Sequence, residues 1–194
     1  MTARLPEQLA PTAVEHLHLP SGRNITLPKA KPSFRPWTGK PIGDDYGGKP
    51  VLEWQGGPYF AELLILELLR AEGWDGFWVD TYRNRRILDM SLTSTRQLPA
   101  GIAAVIAEIR ARCGTHSGCF DVVAEREGEI LFAEAKRASK DRLRETQLRW
   151  IDAALHCGVH PESLLIVEWA IVRAQSLRTD YRCRARTMSV LLDE

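Results

Sequence analysis

Between Gly118 and Trp150 the chain reads GCFDVVAEREGEILFAEAKRASKDRLRETQLRW, in which two short apolar runs, Phe120 to Ala124 and Ile130 to Lys136, flank a polar stretch containing Gly128. Runs of this length around a turn signal are strands, so the segment is expected to fold as a β-hairpin followed by a helix. A turn centred on Glu127 and Gly128 couples residues whose numbers add to 255, which sets Asp121 opposite Glu134, and any even-length loop with that centre gives the same register. Side chains alternate along a strand. Ile130, Phe132, Glu134 and Lys136 therefore share one face, while Leu131, Ala133 and Ala135 take the other.

Directly opposed residues bring their Cβ atoms to about 4.5–5.5 Å, where like charges repel. A carboxylate pair on otherwise apolar strands calls for a counter-charge. A divalent cation with oxygen ligands supplies one, since Mg²⁺ is commonly held by one or two carboxylates with waters and substrate phosphate. Lys136 would stand beside a water held there. The helix that follows, expected from about Lys140 to Cys157, carries Leu143, Gln147, Trp150 and Ala154 on one stripe, widened by Ile151 and Leu155. Gln147 is the polar member of that stripe. A buried amide needs partners, and the Asp121, Glu134, Lys136 site can supply them.

The succession Asp121, Glu134-Ala135-Lys136 and a helical Gln147 resembles the PD-(D/E)XK nuclease superfamily. The run Lys140-Asp141-Arg142-Leu143 through Gln147 and Trp150-Ile151-Asp152-Ala153-Ala154-Leu155 is most similar to its virus-type replication-repair nuclease (VRR-NUC) branch. The resemblance covers roughly residues 58–169. It implies an α/β fold with a restriction-endonuclease-like αβββαβ core, a mixed central sheet flanked by helices. It also implies a Mg²⁺-dependent nuclease, with Mn²⁺ able to substitute, that hydrolyses phosphodiester bonds in DNA. By this resemblance Asp121, Glu134 and the backbone carbonyl of Ala135 hold the metal, and Lys136 orients water or stabilises developing charge. Glu62 completes or supports the metal shell, and Gln147 fixes Lys136 or a coordinated water. The chain departs from the family at Phe120, where the usual residue before the catalytic Asp is Pro. That leaves strand entry and substrate class open.

The chain has 194 residues, enough for one domain with an extra arm. Its formal net charge is +1, so a nucleic-acid surface must be a local patch. Lys136, Arg137, Lys140, Arg142, Arg144 and Arg149 form such a patch against Asp141 and Glu145. Arg137, Lys140, Arg142, Arg144 and Arg149 are the expected phosphate contacts, which give affinity without sequence information. Four cysteines and no signal-like start point to a reducing, cytoplasmic setting. No apolar run approaches the eighteen or so residues that span a bilayer, so no membrane role is expected. Enzymes that cut both strands often pair subunits, so a homodimer is compatible with this reading, though no seam for one stands out.

Residues 1–57 hold eight of the eleven prolines, which argues against long helices and central strands, so they are expected to form an arm packed on the core. Residues 58–194 form the expected nuclease-like domain. Tyr59 to Gly73 reads as a buried helix, whose interior acids Glu62 and Glu67 are candidate carboxylates, Glu62 first. Gly76 to Tyr82 reads as the first core strand, with Asp80 structural. An insertion at about 84–117 contains a helix, Pro99 to Arg112, and Arg83, Arg85, Arg86 and Arg96 cluster at its start. Ser163 to Val172 is a buried strand, and Tyr181 to Thr187, with Arg182, Arg184 and Arg186 on one face, a further strand. Neither Gly39-Lys40 nor Gly48-Lys49 has P-loop spacing.

Two other function classes stay open. One is a non-catalytic nucleic-acid-binding or assembly subunit that keeps the fold. The other is a zinc-stabilised module on Cys113, His116 and Cys119, for which only His156 and Cys157 could complete the four ligands.

Overall fold

The structure is a computed structural model that describes residues 5–172 apart from 82, 96, 115 and 116. The basic strand expected at Tyr181 to Thr187 lies outside the described residues, as do Arg96 and His116.

Ten strands and three helices are described. The strands are β1 (Ala13–His18), β2 (Asn24–Ala30), β3 (Ser33–Pro36), β4 (Leu52–Trp54), β5 (Gly57–Tyr59), β6 (Asp75–Asp80), β7 (Arg85–Ile87), β8 (Val122–Arg126), β9 (Glu129–Arg137) and β10 (Leu164–Ile171). The helices are α1 (Ala61–Ala71), α2 (Ala100–Cys113) and α3 (Glu145–His156). One open, mixed sheet runs β5-β4-β3-β10-β9-β8-β6-β7, with β2 also paired to β10 and β1 to β2.

The hairpin β8–β9 has the register expected from its turn. Val122 faces Ala133 and Val123 faces Phe132, so paired numbers add to 255. Glu127 and Gly128 make the two-residue loop with φ of 52° and 82°. Positive φ at both positions is the type I′ geometry that matches strand twist, and a glycine adopts it without strain.

Alternation along these strands divides the core. Val122, Ala124, Leu131 and Ala133 face α1, whose Leu63, Leu64, Leu66 and Leu68 are buried with them. Val123 and Phe132 face the opposite layer, where Ile102, Ile106 and Ile109 of α2 meet Trp150, Ile151 and Ala154 of α3. The sheet is thus covered on both faces, as a mixed sheet of apolar strands requires.

Two expectations are corrected. α3 begins at Glu145, not near Lys140, and Leu143 precedes it. Residues 137–141 turn instead: the Arg137 carbonyl accepts the Lys140 and Asp141 N–H groups, and the Asp141 carboxylate accepts the Arg137 N–H at 2.9 Å. Side-chain hydrogen bonding of this kind competes with helix and explains the late start. The insertion holds its expected helix, as α2, and carries a strand as well, β7, which pairs antiparallel with β6.

The second correction concerns residues 1–57, which do contribute strands to the sheet interior. β2 lies between β1 and β10, and β3 between β10 and β4. β10 is shared along its length: Ile166 and Val167 pair with Lys29 and Ala30, while Ala170 and Ile171 pair with Ser33 and Phe34. Pro32 sits at the break, where its carbonyl accepts the Ala170 N–H at 3.0 Å. A proline retains its acceptor and loses only its donor, so it is tolerated where the ladder needs an acceptor.

Candidate active site

The site forms where β8 begins and β9 ends. Asp121 lies one residue before β8, and two reciprocal bonds hold it to β9. Its N–H donates to Glu134 Oε2 at 3.2 Å, and its Oδ2 accepts the Ala135 N–H at 3.1 Å. A strand residue that pairs turns its N–H and C=O to the same neighbour, so the Ala135 carbonyl is directed toward Asp121 as well.

On the α3 side, Glu134 is buried and its Oε1 receives Lys136 Nζ at 2.7 Å and Gln147 Nε2 at 2.5 Å. Gln147 Oε1 in turn accepts Lys136 Nζ at 3.1 Å and the Arg144 N–H at 3.0 Å. The amide therefore uses its oxygen toward two donors and its nitrogen toward the carboxylate, which fixes its orientation. Since Gln147 also caps the first turn of α3, the helix start and the site are set by one side chain.

Gly118 makes that placement possible. Its φ is +96°, and a Cβ there would lie 2.2 Å from the Thr146 carbonyl oxygen and 3.2 Å from the Gln147 nitrogen. Only a residue without a side chain lets the strand entry approach α3 so closely. Phe120 is fully buried and stacks on Trp150 at 5.2 Å, while Phe132 meets the same ring edge-on at 5.0 Å. The aromatic side chain just before Asp121 thus has a packing role.

Glu62, on the first turn of α1, is buried and ion-paired with Lys49. Glu67 pairs instead with Arg70 at 2.8 Å and is a structural helix acid. Burial in the protein interior pushes the Asp121 carboxyl well above its ordinary value, and the Glu134 and Glu62 charges add to this, while Lys49 opposes it. Burial also raises Glu134, with Lys136 the main opposing influence. Both carboxyls therefore hold a proton more tightly than free ones do, chiefly because burial disfavours the charged form. Among the described residues no group of three or more His, Cys, Asp or Glu side chains is arranged for a metal ion. The expected third carboxylate, Glu62, is engaged by Lys49. The donors that do converge are the two carboxylates of Asp121 and Glu134, hard oxygens of the kind that suit Mg²⁺ or Mn²⁺.

Lys140, Arg142 and Arg144 are exposed in the segment that links Lys136 to α3, with no ion-pair partner among the described residues. Arg137 is half-buried with its guanidinium 5.8 Å from the Trp169 ring centre, and Arg149 pairs with Glu145. At the far side of the site Asp80 is buried, accepts the Tyr46 hydroxyl at 3.1 Å and lies 3.7 Å from Arg85 Nε. Asp80, Arg83 and Arg85 are accordingly tied into a structural network, and Arg83 pairs with Asp44. Cys119 is buried in the α2–α3 layer, where burial pushes its thiol up to about 12, as for a core cysteine. His156 receives contacts from Arg23 and faces the Asp152 carbonyl, on the other side of α3.

Sequence reasoning missed Lys49, Gly118 and the packing role of Phe120. A scan against protein-family models, a search of curated proteins and a search of solved structures each find no match for this chain.

Proposed function

We propose that the protein is a metal-dependent nuclease that hydrolyses phosphodiester bonds in DNA. The observation that carries the reading is the reciprocal locking of Asp121 and Glu134 at adjacent strand ends, with Lys136 and Gln147 on one Glu134 oxygen. The chain order α1, β6, β8, β9, α3, β10, with β9 antiparallel to β8 and parallel to β10, supports a restriction-endonuclease-like αβββαβ core in which β7 and α2 are the insertion.

Asp121, Glu134 and the Ala135 carbonyl would hold Mg²⁺, with Glu62 in support. When bound, that ion neutralises phosphate charge and acidifies water. Lys136, steered by Glu134 and Gln147, places an ammonium beside the attacked phosphate, where it orients water or stabilises developing negative charge. Gln147 holds Lys136 and Glu134 at fixed spacing. Lys140, Arg142 and Arg144 seat flanking phosphates, aided by Arg137 and Arg149.

The test is cleavage of labelled single-stranded, duplex, flap and four-way-junction DNA with Mg²⁺, Mn²⁺ or EDTA. We expect metal-dependent cutting of at least one substrate and a loss of about 10³-fold or more in Lys136→Ala, the scale set by removal of one charge-stabilising group. Salt-sensitive DNA binding without cutting by the wild type overturns the reading in favour of a non-catalytic binding subunit, because the exposed basic run does not depend on the carboxylates.

A further inference from the structure

Lys49 comes to the site from residues 37–51, the connection between β3 and β4. The Trp37 N–H donates to the Val51 carbonyl at 2.9 Å and closes the base of this segment. It is a compact Ω-loop, a class often functional. β3 runs parallel to β10, and β10 parallel to β9, so the loop leaves and returns at the end of the sheet where β9 delivers Lys136.

The loop is fastened just ahead of Lys49. Asp44 pairs with Arg83, and the Tyr46 ring packs on Phe60 at 5.3 Å and Trp78 at 5.0 Å. The Tyr46 hydroxyl donates to Asp80 and accepts Arg85 Nη2 at 2.6 Å. The Lys49 N–H turns back to the Asp45 carbonyl at 2.8 Å. From this anchored turn the Lys49 ammonium pairs with Glu62 and stands 4.7 Å from the centre of the Trp78 ring. Trp78 is the β6 partner of Val122, so the ammonium is delivered beside the strand position next to Asp121.

We infer that Lys49 is a built-in counter-cation that competes with the divalent metal for Glu62, so metal loading must move Lys49 off that carboxylate. The inference rests on the proposed metal site. Ionised, Asp121, Glu134 and Glu62 set three negative charges against the two ammonium groups of Lys49 and Lys136. Removal of Lys49 both frees a carboxylate ligand and deepens the negative potential. A purely structural ion pair would leave metal affinity unchanged. Lys49 is thus a positioning residue, holding Glu62 in the metal-free protein and freed toward substrate phosphate when the metal takes that carboxylate.

The test is Mn²⁺ titration of the full chain by isothermal titration calorimetry, without DNA, on wild type, Lys49→Gln, Lys49→Arg and Lys49→Gln/Glu62→Gln. Lys49→Gln should bind Mn²⁺ about tenfold more tightly, the scale of one unit charge at close range. Lys49→Arg should behave as wild type, which separates lost charge from a damaged loop, and the double variant should lose the gain. Equal affinities in wild type and Lys49→Gln overturn the inference and leave the metal site standing. Absence of binding in every variant overturns both.

Discussion

The hairpin β8–β9 and the first 57 residues feed the same site by opposite means. The hairpin is local: a two-residue turn fixes its register, and alternation then assigns Glu134 and Lys136 to one face. The N-terminal strands are recruited. β2 and β3 each pair with β10 through two residues, far along the chain, and nothing within them sets that pairing. Local geometry sets the carboxylate pair, while long-range packing sets Lys49 and the support beneath Glu62.

That contrast breaks if the N-terminal strands are only a covering. Phe34 of β3 and Phe132 of β9 are both buried, at 4% and 0% exposure, one in each core cluster. Phe34→Ala and Phe132→Ala should each cost about 3–5 kcal/mol, the range for buried aromatic truncation. Urea unfolding measures both. A Phe34→Ala cost under about 1 kcal/mol would make the N-terminal segment an arm after all.

A smaller effect sharpens the hairpin half of the comparison. Gly118→Ala must place a Cβ against the Thr146 carbonyl and hold an L residue at φ +96°. The expected cost is about 1–3 kcal/mol in stability. Because the clash is with the first turn of α3, cleavage should fall further than stability alone explains, in step with Gln147→Ala. Wild-type cleavage rates in a folded Gly118→Ala protein would show that α3 is placed by other contacts.

Much of the core was legible in residues 118–156 because each signal there is short-range: Gly128 for the turn, alternation for the faces, and the spacing of Gln147, Trp150 and Ala154 for the buried side of α3. The start of α3 was not legible, since Asp141 withdraws residues 137–141 into a turn by side-chain bonding that periodicity does not register. Proline content misread β2 and β3 for a related reason. The donors missing at Pro28 and Pro32 fall outside or at the break of the β10 ladder, and only the fold reveals which N–H groups are needed. Lys49 was hidden in Asp-Asp-Tyr-Gly-Gly-Lys, a turn-rich stretch without P-loop spacing. Its partner Glu62 was nominated, but nothing in the sequence joins the two.

The smallest effect concerns the charge held between the two regions. Asp121 has a folded-state pKa well above its ordinary 3.8, through burial and repulsion by Glu134 and Glu62. For an acid raised in this way, the stabilising contribution is complete below pH 3.8 and is lost as pH rises through the folded value. Ion-paired surface acids act in the opposite sense; Asp44 is held at about 2 by its hydrogen bond to Arg83. The comparison is therefore wild type against Asp121→Asn, which cancels the rest. In EDTA the variant should gain on wild type as pH is raised from 4 toward 8, by on the order of 1 kcal/mol at the upper end. Added Mg²⁺ should reverse the order by stabilising wild type alone, and more strongly at higher pH, since metal binding expels the proton. A wild-type–variant difference that stays flat with pH would mean that Asp121 is ionised without the metal. Lys49 and Lys136 would then neutralise the carboxylates by themselves, and the N-terminal loop would govern the site's charge more than the hairpin does.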